Sequence, residues 1–209
     1  MYWHKTFDPI LKLWWDNKWK KSNIHYNTKS TGYVNVRTCL YTSPTGYTHL
    51  RPIAQKLIGH NEDETMNNIS FYTNNLIKYV SDNTQYGKNE FWQDAYNTLQ
   101  NKKGDCDDYM ILIKVLSLLA DIPDYRVKCT CGDTYYENGT PAGGHAYILY
   151  LQRNNNKWIE LEGSFLGEWK GKYGNIWFTF NREHSWSQHN KSFDRYKLKR
   201  LKEIAEAIS

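Results

Sequence analysis

Three residues in this chain have the types and the order that thiol chemistry needs: Cys106, His145 and Glu162, separated by 39 and 17 positions. Cys106 follows Gly104-Asp105 and opens a run in which, from Met110 to Ala120, only Lys114 and Ser117 are polar. A helix that is apolar nearly all round is a buried helix. Its first turn offers backbone N–H groups and the positive end of the dipole, both of which favour a thiolate. Gly104 permits a sharp turn that leaves the sulfur facing a cleft. His145 begins an alternating segment behind Gly143-Gly144, where a histidine can approach another element as closely as a general base must. Glu162 ends the next strand-like segment and can hold the imidazole ring, the third role in triad logic. Glu160 lies two residues earlier on the same strand face and competes for that role. Singly, these residues read as a small buried cysteine, a satisfied surface histidine and an exposed carboxylate. Together and in order they point to a nucleophile, a base and an orienting acid.

The elements that must position them follow from periodicity. Residues 8–20 read as a helix, with Asp8 as cap and Pro9 in the first turn. Residues 22–50 are rich in Thr, Tyr, Gly and Asn, with one strand-like run over 33–40. Helices are expected over about 52–59, 62–81 (capped by Asn61 or Asp63) and 90–100, the last carrying Phe91 and Trp92. The buried helix spans 106–120, and Pro123 prevents its continuation. Beyond it the period changes from 3.6 to 2: strands are expected over 126–131, 145–152, 157–164 and 176–181, with Arg153-Asn154-Asn155-Asn156 as a hairpin turn. An amphipathic helix over about 194–208 ends the chain. The class is α+β: helices first, then a buried central helix with the cysteine, packed on an antiparallel sheet with the histidine and the acid.

Composition narrows the function classes. The 209 residues include 9 Trp, 17 Tyr and 7 Phe, so the core is built from rings as much as from aliphatic side chains, and global disorder is excluded. A mean hydropathy of −0.79 and the lack of a long apolar run speak against a membrane span. The net charge of +5 is spread along the chain, so nucleic acid is not the expected partner; Lys197, Lys199, Arg200 and Lys202 read as a solvated helix face. The first residues lack a signal-peptide layout, and the expected location is the cytoplasm or the inside of a larger particle such as a virion. Cys39, Cys106, Cys129 and Cys131 make no disulfide framework, and Cys129-x-Cys131 has no second pair with zinc spacing.

The motif Gly104-Asp105-Cys106-Asp107-Asp108-Tyr109, the triplet Gly144-His145-Ala146, and Trp158 with an acid four residues on resemble the transglutaminase-like superfamily. Within it they resemble the bacterial transglutaminase-like cysteine peptidases, whose nucleophile motif reads G-D-C-E-D-Y. The likeness covers about residues 69–165. It implies a papain- or transglutaminase-like fold, with an aromatic-rich extension over 1–60, a catalytic core over 61–182 and a tail with a helix over 183–209. It further implies Cys106 as nucleophile, His145 as base and acid, and Glu162 as the orienting carboxylate, where the family usually has Asp. The activity implied is a cysteine-type hydrolase, a peptidase or amidase working through a thioester on a protein or peptide substrate. A transglutaminase or other acyltransferase with an amine acceptor, and a non-catalytic binding protein on the same scaffold, are the alternatives. The Cys106 backbone N–H and Trp92 or Gln93 are the candidate oxyanion donors. No cofactor is required, but Asp105, Asp107 and Asp108 crowd the nucleophile, and calcium-dependent activity among the relatives makes calcium the cation such oxygens would suit.

Overall fold

The structure, a computed structural model, describes residues 25–28, 32–162 and 171–187. The expected helices over 8–20 and 194–208, most of the extension and most of the tail lie outside the described residues. β1 (His25–Thr28) and β2 (Gly32–Asn35) form a small antiparallel pair, followed by a 3-10 turn over Val36–Leu40. The run over 33–40 is therefore strand only in its first residues. Helix α1 spans Pro44–Lys56, starting well before residue 52. Ser43 accepts a hydrogen bond from the Gly46 N–H and Pro44 occupies the first turn, a start signal stronger than that of Pro52, which sits inside the helix.

Helix α2 spans Glu62–Leu76, with the Asn61 side chain accepting from the Glu64 N–H. It ends before 81 because Ile77 turns extended and leads into β3 (Lys78–Tyr79), which pairs in parallel with β4 (Lys103–Gly104). A short α3 (Asp82–Tyr86) and α4 (Ala95–Asn101) follow, the latter capped by Asp94. Phe91 and Trp92 thus precede α4 instead of riding on it. Helix α5 spans Cys106–Leu119 as the apolar run requires. The main sheet is antiparallel, ordered β7-β6-β5-β8-β9, from β5 (Val127–Tyr135), β6 (Pro141–Leu151), β7 (Trp158–Leu161), β8 (Lys172–Phe180) and β9 (Ser185–Ser187). The strands β5, β6 and β8 run longer than alternation alone suggests, and β9 is additional. Among the described residues no helix is long and apolar enough to cross a membrane.

Helix α5 is the centre of the core. It packs on β6 and β5 on one side and on α1, α2 and α4 on the others. Ile111, Leu112 and Leu116 have no exposed surface at all. Neither has Lys114, whose Nζ lies 2.6 Å from Asp124 Oδ1 and donates to the carbonyls of Val127 at 2.7 Å and Asp124 at 3.1 Å. This buried cation ties the middle of α5 to the turn that feeds β5. It fixes the register of helix against sheet, which apolar packing alone leaves loose.

Lys114→Met is therefore expected to lower the stability measured by urea unfolding by about 2–4 kcal/mol, since it leaves the largely covered Asp124 carboxylate with only the half-exposed Arg182 at 4.0 Å. The double change Lys114→Met with Asp124→Asn should recover part of that loss, and a single change without effect would contradict the locking role.

Candidate active site

Cys106 is the first residue of α5 and is only partly buried, while the turns behind it are sealed. The turn before it is tight. A methyl group at Gly104 would run into the Asp108 side chain, which is folded back to accept from the Asp105 N–H at 3.3 Å, one arm of a capping box. Gly143 sits at φ +123°, a conformation open to glycine, and Gly144 carries no side chain because the Trp177 ring lies where one would go. The two glycines set His145 at the wall of a cavity of about 380 Å³ shared with Cys106.

His145 is nearly buried, and its Nε2 lies 2.9 Å from Glu162 Oε1 and 3.1 Å from Oε2. With Nε2 committed to the carboxylate, Nδ1 is the nitrogen that can serve the thiol. Glu162 falls just past the end of β7. Its carbonyl accepts from Ser70 Oγ at 2.6 Å and Asn74 Nδ2 at 3.3 Å, both on α2. The same helix anchors the hairpin before β7, where Asp63 accepts from the Arg153 N–H at 2.6 Å, the Asn154 N–H at 3.1 Å and the Tyr150 hydroxyl at 2.7 Å. Glu160 is exposed and pairs across the ladder with Leu149, away from the histidine.

The oxyanion candidates fare differently. Trp92 lines the cavity, with its indole N–H given to Glu90 Oε1 at 2.8 Å. Gln93 is buried elsewhere: its amide donates to Asp108 Oδ2 at 2.6 Å and to the Lys103 carbonyl at 3.2 Å, and its oxygen accepts from Asn101. Gln93 thus serves as a brace for the Asp108 carboxylate, and a donor role at the sulfur does not fit this geometry. The first-turn N–H of Cys106 remains a geometrically reasonable donor.

The acidic residues also sort themselves. Asp108, taken up by Gln93 and the Asp105 N–H, is not part of the carboxylate cluster. Asp82, Asp105 and Asp107 instead bring one oxygen each within 4.8 Å of one another. Asp105 Oδ1 and Asp107 Oδ1 are buried with no hydrogen-bond partner among the described residues. Oxygens held so close and left unpaired suit a hard cation. Asp82, missed in the sequence, sits at the start of a five-residue helix 24 positions before Cys106, and only the fold brings it here.

Electrostatics run against the dipole argument. Burial and then the Asp105 charge push the Cys106 thiol well above its ordinary value, with Glu90 and Glu162 adding to the shift and the Ala146 backbone N–H opposing it. Burial, with Asp105 next, pushes Asp82 up to about 7, and burial pushes Asp105 up to about 6. Burial first and the surrounding carboxylates second thus favour the thiol over the thiolate, and such a thiol needs a base beside it to react.

The comparisons with known proteins bear on the fold and on the stretch up to the sheet's first strand. The sequence model of the bacterial transglutaminase-like cysteine proteinases (BTLCP) matches residues 36–132, further upstream than the motifs suggest and taking in Cys106 but not His145 or Glu162. Among solved structures, Legionella pneumophila LapG is similar with a TM-score of 0.51 at 14% identity, covering 81% of this chain and 95% of that one. Its EGTA-treated form gives 0.51 at 13% identity over 83% and 96%, and its calcium-bound form 0.50 at 14% over 81% and 96%. At such identities the likeness is one of fold. A comparison with curated protein sequences finds no match.

The raised carboxyls make a pH prediction. Asp82 and Asp105 bind a proton more tightly folded than unfolded, so their contribution to stability is complete below about pH 4 and is lost as pH rises through 6 to 7. In metal-free buffer the unfolding temperature of wild type relative to Asp82→Asn should fall between pH 5 and pH 8. A difference that is flat or rises over this interval contradicts the assignment.

Proposed function

We propose that the chain is a transglutaminase-like cysteine peptidase, akin to the bacterial ones, that hydrolyses amide bonds in a protein or peptide with Cys106 as nucleophile. The observation that carries the reading is the contact of His145 Nε2 with Glu162, made by a histidine that lines the same cavity as Cys106. Glu162 engages Nε2 and so leaves Nδ1 as the nitrogen available to the thiol, and it stabilises the imidazolium formed in the reaction. His145 takes the thiol proton as sulfur attacks the amide carbonyl, giving a tetrahedral oxyanion; the Cys106 backbone N–H is the nearest candidate donor for it. On collapse, His145 gives that proton to the leaving amine and a thioester remains on Cys106. Water, deprotonated by His145, attacks the thioester, releasing the acid and restoring the thiol.

A cation is expected at Asp82, Asp105 and Asp107, and calcium is the one proposed, supported by the unpaired oxygens and by the calcium-bound form of the LapG neighbour. When bound it would supply positive charge beside the nucleophile, offsetting the carboxylate charges that add to the effect of burial on the thiol. The residues themselves act by position: Asp105 and Asp107 flank Cys106 in sequence, and Asp82 also accepts the Phe91 N–H, linking the site to the Trp92 wall.

Alkylation by iodoacetamide followed by mass mapping tests the nucleophile. Cys106 is expected to react at least tenfold faster than the buried Cys39, Cys129 and Cys131, and His145→Ala should remove about 10²-fold or more of peptide hydrolysis. Equal labelling of all four cysteines would favour a non-catalytic scaffold. A primary amine captured in the product would make the protein an acyltransferase instead.

Calcium is tested separately by unfolding. Added calcium should raise the unfolding temperature, by a free energy that grows with the logarithm of concentration above Kd. Asp82→Asn and Asp107→Asn should each abolish the shift, and Asp108→Asn should leave a shift in place.

A further inference from the structure

We infer that Tyr173 is a positioning residue for the catalytic acid, its phenol O–H holding Glu162 in the orientation His145 requires. This rests on the reading of Cys106, His145 and Glu162 as a catalytic set. The Tyr173 hydroxyl donates to Glu162 Oε1, the oxygen that also lies 2.9 Å from His145 Nε2. Tyr173 stands on β8, two places along the sheet from the strand of His145, and arrives 11 residues after Glu162 in the chain. Its ring packs on Tyr147 at 4.4 Å between centroids, and Tyr147 stacks in turn against His145 at 6.1 Å and 14°. The phenol, the carboxylate and the imidazole thus share one supported layer.

The chemistry explains why the acid needs this support. A glutamate side chain is long and turns about several bonds, so its carboxylate has many ways to miss the histidine. Ser70 and Asn74 fix its backbone carbonyl but leave the side chain to turn. A hydrogen bond to a charged acceptor is among the stronger ones available. Burial, then the Glu162 charge, holds the phenol in its protonated form, so it remains a donor across the working pH range. As a neutral donor it fixes the carboxylate without adding another charge near a sulfur already burdened by Asp105, Glu90 and Glu162.

A double-mutant cycle on the full chain tests the assignment, read as the rate of Cys106 alkylation by iodoacetamide at pH 7.5 (an assay that needs no identified substrate). Tyr173→Phe keeps the ring on Tyr147 and is expected to slow alkylation by about 3- to 10-fold. In a Glu162→Ala background the same change should alter the rate by less than about twofold, since no carboxylate remains to position. The Nε2–H proton resonance of His145 should move in Tyr173→Phe while the unfolding temperature changes little. Equal slowing in both backgrounds, or an unmoved resonance with an unchanged rate, overturns the role of Tyr173. If wild-type Cys106 reacts no faster than the other cysteines, or His145→Ala leaves its rate unchanged, the catalytic reading itself fails, and the positioning role fails with it.

Discussion

A helix that is apolar on every side has to be covered on every side, and this requirement organises the molecule. Helix α5 meets it by lying between the sheet and α1, α2 and α4, so that nothing of its middle reaches solvent. It opens only at its ends, at Cys106 and at Leu118-Leu119, and a helix start needs partners for its N–H groups that a hydrocarbon core does not offer. Cys106 stands at that point. Lys114, fully buried and bound to Asp124 and two carbonyls, then fixes how far the helix slides along the sheet. The position of the sulfur relative to β6 is thus a consequence of core packing some distance away.

The acid side of the site is built by a different device. β7 is an edge strand of four residues, too short to hold itself, and α2 secures it at both ends. Asp63 collects the hairpin N–H groups before the strand, and Ser70 and Asn74 take the Glu162 carbonyl after it. One helix thereby sets where the carboxylate stands, while a phenol from β8 meets the same oxygen that lies nearest the histidine. The cavity between these parts is electronegative, with Glu90, Asp105 and Glu162 all raising the thiol's affinity for its proton. That field makes the histidine essential to the proposed chemistry, and it gives a cation at Asp82, Asp105 and Asp107 a function beyond stability.

Much of this was legible in the residues. The α5 run, the change of period after Pro123 and the Asn-rich turn before β7 each carry a strong local signal, and the structure has all three in place. The caps of α2, α4 and α5 are side chains whose role is written in their type. The misplacements share a cause. The start of α1 was set by Ser43-Pro44, and α2 stops at Leu76 because Ile77 turns extended and leads Lys78 and Tyr79 into pairing with β4. Gln93 is a polar residue near the motif, and only the presence of Asp108 beneath it decides that its amide faces inward.

By itself the sequence determined the reactive types and their order, because a thiol at a helix start, a histidine behind glycines and an acid after a hairpin are local arrangements. It also determined the class of fold, since the period of apolar residues follows from which faces are buried. The tertiary structure alone put Glu162 and not Glu160 against the histidine, substituted Asp82 for Asp108 in the acidic cluster, and brought Tyr173 to Glu162 and Trp177 to the cavity. Each of these depends on contacts between residues far apart in the chain or on which way a side chain turns once its neighbours are packed. Such contacts are set by how α5 and the sheet exclude water together, and no stretch of sequence carries that information alone.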